Sequence, residues 1–366
     1  MVHPCDIALE VRGRGTRVLP KNQSVLASMA GLAVPTAIRA SDLRPGDFVG
    51  IPYGHEWPAA PAVLPLPDAS PRSGSEKAIR VPRRMTDDLA FLLGAYLSEG
   101  HTTRSNWSVI LTNSVEEVLV RAQKAWLSTF GLHARLTNQR DRCPGLVVSS
   151  RRLVLFLESL GCGSRARNKA VPEVILRGTR RHALLFLQGA ALDAYTTHAY
   201  AGKWAICLES QVAIDGLQGL LTQFGIVNAQ IPKFSKQTAK TYYELYAPGA
   251  WGQDLSALVP FLEPDKAARA AAYRRVDYRT RDSDVIPGVS GPALYRLLPA
   301  GTPGRSGRGS GRQRFRHLTD PRTARVTRGS VIAVRDAGVT LPNWLSTVLE
   351  QRIRFAPVVS VTPIDH

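Results

Sequence analysis

The chain has 366 residues, a length that suits two or three domains. Apolar residues make up 44% and charged residues 21%, the balance of a globular protein, and the absence of any apolar run of about 18 residues excludes a membrane-spanning helix. Lysine and arginine number 47 against 29 aspartates and glutamates, a formal net charge of +18 that asks for a polyanionic partner. Nucleic acid fits better than a membrane surface, because no segment joins the basic charge to an amphipathic apolar face.

The opening residues, MVHPCDIALEVRGRG, lack the apolar core of a secretory signal. Cys5, Cys143, Cys162 and Cys207 form no CxxC pair, so reduced, buried thiols, a cytoplasmic location and no zinc site are expected. The Pro-rich run WPAAPAVLPLPDASPRSG at 57–74 reads as part of a linker over 57–83.

Beyond it the chain repeats itself. DDLAFLLGAYLSEGHTT, WSVILTNS and LVRAQKAWLSTFGLHARL are followed in the same order by HALLFLQGAALDAYTTH, WAICLES and LQGLLTQFGIVNAQI. Each copy starts with an apolar helix pattern holding a glycine, Gly94 or Gly189. A Trp-led strand follows, at Trp107 or Trp204, and then an amphipathic helix that stops at Gly131 or Gly225. Lys169 and Lys266 fall at matching distances downstream. Two copies of one α+β unit are expected, at 84–175 and 176–279, related by a pseudo-twofold axis. Gly94 and Ser98 lie four apart on one helix face, so the two glycine helices are expected to meet in a close seam, with Glu99 emerging at its end near the axis. In gapless register Glu99 corresponds to Ala194, and Asp193 comes one residue early, a rotation of roughly 100°.

After the repeats, GTPGRSGRGSGRQRFRHLTDPRTARVTR at 301–328 is rich in arginine, including Arg312 and Arg314, with glycine and serine between. It reads as a flexible basic stretch suited to phosphate contact. It lies in a small accessory region at 280–345 whose flanks, GPALYRLL and VTRGSVIAVRDAG, look like short helices. RFAPVVSVTPID at 354–365 alternates as a strand does.

FLLGAYLSEGH resembles the first signature helix of the LAGLIDADG homing endonucleases in the form carried by inteins, FLQGAALDAYTTH stands where the second should be, and RARNKAVPEVIL resembles the segment carrying the family's catalytic lysine. The resemblance implies a fold of two pseudo-symmetric αββαββα units forming a DNA-binding saddle, acting as a monomer on double-stranded DNA with a long asymmetric site. It further implies Glu99 and Asp193, with Gly100, as the ligands of Mg2+ or Mn2+, and Lys169 and Lys266 as catalytic lysines that orient the attacking water or stabilise charge on the phosphate. Base and backbone contacts are expected from Arg104, Asn106, Arg135, Gln139, Arg140, Arg142, Lys203, Gln230, Lys233, Lys236 and Lys240 on the two sheets.

The chain ends carry a second resemblance. AIRASDLRPGDFVGIPY at 37–53 is similar to the N-terminal half of an intein splicing (Hint) domain, His3-Pro4 to the end of the block that supplies a splicing histidine, and 354–365 to the start of the C-terminal block. A partial, all-β Hint domain built from segments 1–56 and 346–366 is therefore expected. With no Cys or Ser at position 1 and no His-Asn at the end, it is expected not to splice. The rival expectations are a protein of the same fold that binds DNA but nicks weakly or not at all, because the second acid is displaced, and an RNA-splicing maturase, which the splicing segments argue against.

Overall fold

The computed structural model describes residues 6–20, 22–28, 34–65, 79–138, 143–198, 202–278, 284–302, 315–319 and 326–364. Contacts divide the chain into two units, Met1–Gly54 with Arg279–His366, and His55–Tyr278. The first begins with β1 (Asp6–Val11), β2 (Gly15–Pro20), β3 (Ser24–Ser28), β4 (Thr36–Arg39) and β5 (Phe48–Pro52).

The second unit runs twice through one course. α1 (Asp87–Glu99) leads into the hairpin β6 (Gly100–Thr103) and β7 (Ser108–Thr112), then α2 (Glu116–Phe130), the hairpin β8 (Arg135–Thr137) and β9 (Gly145–Ser149), and α3 (Arg151–Ser159). After the short α4 (Glu173–Leu176), the course resumes with α5 (Arg180–Ala190), β10 (Ala194–Thr197), β11 (Lys203–Leu208), α6 (Gln211–Gln223), β12 (Ala229–Ser235), β13 (Lys240–Pro248) and α7 (Gly249–Leu258), and α8 (Pro264–Arg274) follows. Both sheets are antiparallel and have the same order, β6-β7-β9-β8 and β10-β11-β13-β12. Each is therefore an αββαββα unit.

The sequence explains these elements locally. Thr86 and Thr179 cap α1 and α5, each side chain accepting from a backbone N–H three residues on, Leu89 and His182. α2 ends at Gly131 and α6 just before Gly225, with φ of 68° and 80°, a left-handed conformation that glycine adopts without penalty. Alternate residues of the central strands, Val109, Leu111, Leu146 and Val148 in one sheet and Trp204, Ile206, Leu245 and Ala247 in the other, enter a single core with the helices. α1 is buried along Leu89–Leu97, the burial expected of a helix that is apolar on every side.

Two expectations need correction. The described parts of the 57–83 linker pack on this unit: Trp57 lies 4.6 Å from the Phe224 ring, Ile79 and Val81 rest against the core, and Leu64 is buried in it. Backbone bonds from Leu64 to Arg83 and from Arg80 to Phe130 hold these described residues in place. Nor are the thiols uniformly buried: Cys162 is, but Cys143 is exposed and Cys207 half-buried, and Cys5 lies outside the described residues.

The chain then completes the first unit with β14 (Val285–Ile286), α9 (Gly291–Leu297), β15 (Val326–Thr327), α10 (Arg328–Asp336), α11 (Asn343–Glu350) and β16 (Ile353–Pro363). β16 pairs with β1 on one side and β5 on the other, giving a six-stranded sheet of order β2-β1-β16-β5-β3-β4. The helices at 291–297 and 328–336 occur where the flanks of the basic stretch suggested them. The accessory region they belong to shares a core with Phe48, Ile353 and Phe355, and buried Asp284 pairs with Arg328 and Arg354. It is thus part of the unit built from the chain ends. Among the described residues, no helix is long and apolar enough to cross a membrane.

Candidate active site

Among the described elements, α1 and α5 make the most extensive contact with one another. A Cβ added at Gly94 would stand 1.9 Å from the Phe186 carbonyl oxygen, and one at Gly189 would stand 2.3 Å from that of Phe91. Phe91 and Phe186 each precede their own glycine by three residues, so the contact is reciprocal, as twofold packing requires. Ser98 ties the seam further, its Oγ donating to the Ala190 carbonyl at 2.6 Å. Replacing Ser98 with alanine is expected to cost about 1 kcal/mol in urea unfolding, the ordinary worth of one such bond.

At the tips of the seam helices the two copies differ. α1 stays α-helical through Glu99, whereas α5 tightens after Ala190 into a 3-10 turn over Ala191–Asp193. Three residues at 120° rather than 100° gain roughly 60°, which recovers much of the rotation that Asp193 lacks in sequence register. Asp193 acts electrostatically on Glu99 across the seam. Burial first, and then Asp193, push the Glu99 carboxyl up to about 7, with Lys266 opposing and Asn113 donating to Oε1 at 3.3 Å. Asp193 is also raised by burial, against the pull of Lys169 and Lys266.

The two lysines hold equivalent places. Lys169, 5% exposed, donates from Nζ to the carbonyls of Leu97 at 2.8 Å and Ser98 at 3.1 Å. Lys266 donates to the carbonyl of Leu192 and to Glu263. Leu97 and Leu192 each follow the seam glycine by three residues, so each lysine satisfies the open carbonyls at the end of its own acid-bearing helix. Burial lowers Lys169 to about 8, and the carboxylates oppose that shift. Gly100 follows α1 with its Cα packed on Tyr96, where a Cβ would meet the ring at 2.4 Å. Asn113 and Glu263 join the site without having been singled out by sequence. Glu263 has a signal there, three residues before Lys266 in PFLEPDKAAR.

Residues 86–161 match the family model of the LAGLIDADG-like domain. The second copy repeats the strand order and the seam contacts of the first. Across 147 residues the chain is 29% identical to a DNA polymerase of Thermococcus sp. (strain GE8), and across 162 residues 26% identical to the replication factor C small subunit of Methanocaldococcus jannaschii. These alignments cover 38% and 43% of this chain but only 8% of each relative, so the chain spans less than a tenth of the relatives it matches. Among solved structures, the homing endonuclease I-DmoI in complex with DNA and Mn aligns at 15% identity and a TM-score of 0.35, covering 47% of this chain and 96% of that one. The homing endonuclease I-WcaI bound to its DNA recognition sequence aligns at 10% identity and a TM-score of 0.36, covering 56% and 95%.

In the LAGLIDADG-like domain, Arg135 is exposed on β8, and Asn106 lies in the β6–β7 turn. Arg104, in the same turn, is engaged with Glu158 at 2.7 Å. In the second copy Lys203 and Lys233 both reach Glu244, Lys240 pairs with Glu209 at 3.1 Å, and Lys236 lies in the β12–β13 turn. Gln230 requires correction: it is buried on the helix side of β12, donating to Asp215 at 2.7 Å and Gln218 at 3.2 Å, and faces away from the open side of the sheet. Gln139, Arg140, Arg142, Arg312, Arg314 and His3 lie outside the described residues. No group of three or more His, Cys, Asp or Glu among the described residues is arranged to hold a metal ion by itself.

Proposed function

We propose that the protein is a site-specific homing endonuclease of intein origin that hydrolyses phosphodiester bonds of double-stranded DNA. The observation carrying this reading is the pair of carboxylates, Glu99 and Asp193, brought within electrostatic reach at the end of a glycine-lined seam. A pair of largely buried acids, both held above their ordinary range by burial and one of them raised further by the other, favours an added cation. All the donors on offer are hard oxygens, which suit Mg2+ or Mn2+, with phosphate and water completing the shell. Such an ion, held by Glu99 and Asp193, would polarise the phosphate and favour a nucleophilic water. Lys169 and Lys266 then act as positioning residues, fixing the helix ends that carry the acids, and the open faces of the two sheets take the duplex. The sheet closed by β16 between β1 and β5 supports a Hint-like domain assembled from 1–56 and 346–366.

One observation favours a second reading, a DNA-binding protein that nicks or does not cut. The two acids leave their helices by different turns, so the halves of the site are unequal. The test is incubation of the full chain and magnesium with a supercoiled plasmid carrying the uninterrupted coding sequence of the host gene. Linear product supports a two-strand nuclease, and nicked circles support an enzyme with one competent half. Unchanged supercoils with retained binding overturn the nuclease.

A further inference from the structure

Glu244 sits at the middle of β13, opposite Cys207 of β11 and Ile231 of β12, on the face of the second sheet turned away from the helices. Its side chain is fully buried. It is covered by three donors, the ammonium groups of Lys203 and Lys233 and the hydroxyl of Tyr195. Burial works against its ionisation, but the three donors outweigh that and hold the carboxyl below its usual range. The lysines themselves remain open, 25% and 45% exposed, and Lys203 also lies 5.3 Å from the centroid of the Tyr246 ring.

A carboxylate in this place costs desolvation unless it organises its neighbours. Here it fixes two flexible stems. Each ammonium has three protons and gives one to Glu244, which leaves donors, and no acceptor, facing outward. Guanine is the base whose major-groove edge offers two acceptors, N7 and O6. Adenine sets a donor beside its acceptor, cytosine offers a donor, and thymine adds a methyl group. Glu244 cannot itself accept from cytosine, because its oxygens are covered. Among the described residues, the equivalent place in the first copy holds no acid: counting from Gly94 and Gly189, Thr112 matches Cys207, and Thr112 faces Gly145 where Cys207 faces Glu244.

We propose that Glu244, with Tyr195, is the positioning group of a guanine reader formed by Lys203 and Lys233, which gives one half of the DNA target a G·C requirement that the other half lacks. The inference rests on the DNA-binding reading above and adds the base class and the residues that select it.

The experiment is selection by the full chain from a pool of duplexes with a randomised core, repeated with Glu244→Gln, Lys233→Met and Lys233→Arg, each checked for a wild-type melting profile. The wild type is expected to enrich guanine in one half of the selected sites, by about tenfold over other bases. Lys233→Met and Glu244→Gln are expected to lose that enrichment while preferences in the other half persist, and Lys233→Arg to keep it. Lys233 is exposed enough for its variants to fold even where Glu244→Gln does not. Uniform weakening by Lys233→Met with a shallower salt dependence would mean a phosphate contact and overturns the proposal. So does a folded Glu244→Gln with unchanged guanine preference. Failure of the wild type to bind any duplex instead removes the DNA-binding reading itself.

Discussion

Replacing Gly94 with alanine is expected to destabilise unit His55–Tyr278 by about 3 kcal/mol or more. The added methyl carbon would lie 1.9 Å from a backbone oxygen of the opposite helix, and backbone cannot swing aside as a side-chain tip can. Relief requires the two helices to part, and parting them loosens the core on both sides, since α1 is buried along nine residues from Leu89 to Leu97. Gly189→Ala should cost a similar amount, because its contact is the twofold mate. Gly219 provides the control: an added Cβ there meets nothing within 4 Å, so alanine in this helix position should be neutral or stabilising by up to about 1 kcal/mol. Urea unfolding of the three variants reads the comparison directly. Equal midpoints for Gly94→Ala and Gly219→Ala would mean that the helices do not meet at their glycines.

Glu99→Gln is expected to abolish strand cutting, leave duplex binding intact and make the metal-free protein more stable above pH 7. The last effect follows from the sign of the carboxyl's shift. Its pKa in the folded protein, about 7, exceeds the ordinary 4.5, so folding holds the proton more tightly than the unfolded chain does. That contribution is complete below pH 4.5 and is lost as the pH climbs through about 7. Glutamine, isosteric and uncharged, does not suffer the loss. Partial exposure and screening reduce the gain to about 1–2 kcal/mol. Thermal melts should therefore converge for the two proteins at acid pH and separate as the pH rises. A variant that cuts as well as the wild type would displace Glu99 from the reaction.

The repeated course of unit His55–Tyr278 was legible because its signals are local. Glycines at Gly94 and Gly189, the stops at Gly131 and Gly225, and the alternation of the central strands each follow from a few neighbouring residues. What escaped reading depends on partners far away in sequence. β12 reads AQIPKFS, a mixed run in which polar and apolar residues do not settle which face looks inward, so Gln230 could be placed on the wrong side. Glu244 is an isolated acid in KTYYELYAP, and only folding brings Lys203, 41 residues away, to it. Lys169 stood out in sequence, but the carbonyls it satisfies, 72 and 71 residues upstream, could not be read from its surroundings. Whether the helix before Asp193 ends differently or the second acid is lost stayed open in sequence for a smaller reason: a switch from α to 3-10 winding alters rotation by tens of degrees and leaves no mark in composition.

The strand Ile353–Pro363 fills the gap between β1 and β5, joining residues such as Glu10 and Ser360 that are 350 positions apart. On a ribosome, the first five strands therefore emerge without the neighbour that completes their sheet. They must wait, with edges unpaired, while the whole of His55–Tyr278 is synthesised from contiguous sequence and can fold on its own schedule. Slow translation should thus favour the unit of contiguous sequence and leave the one built from both chain ends as the segment most exposed to proteases and to mispairing during biogenesis.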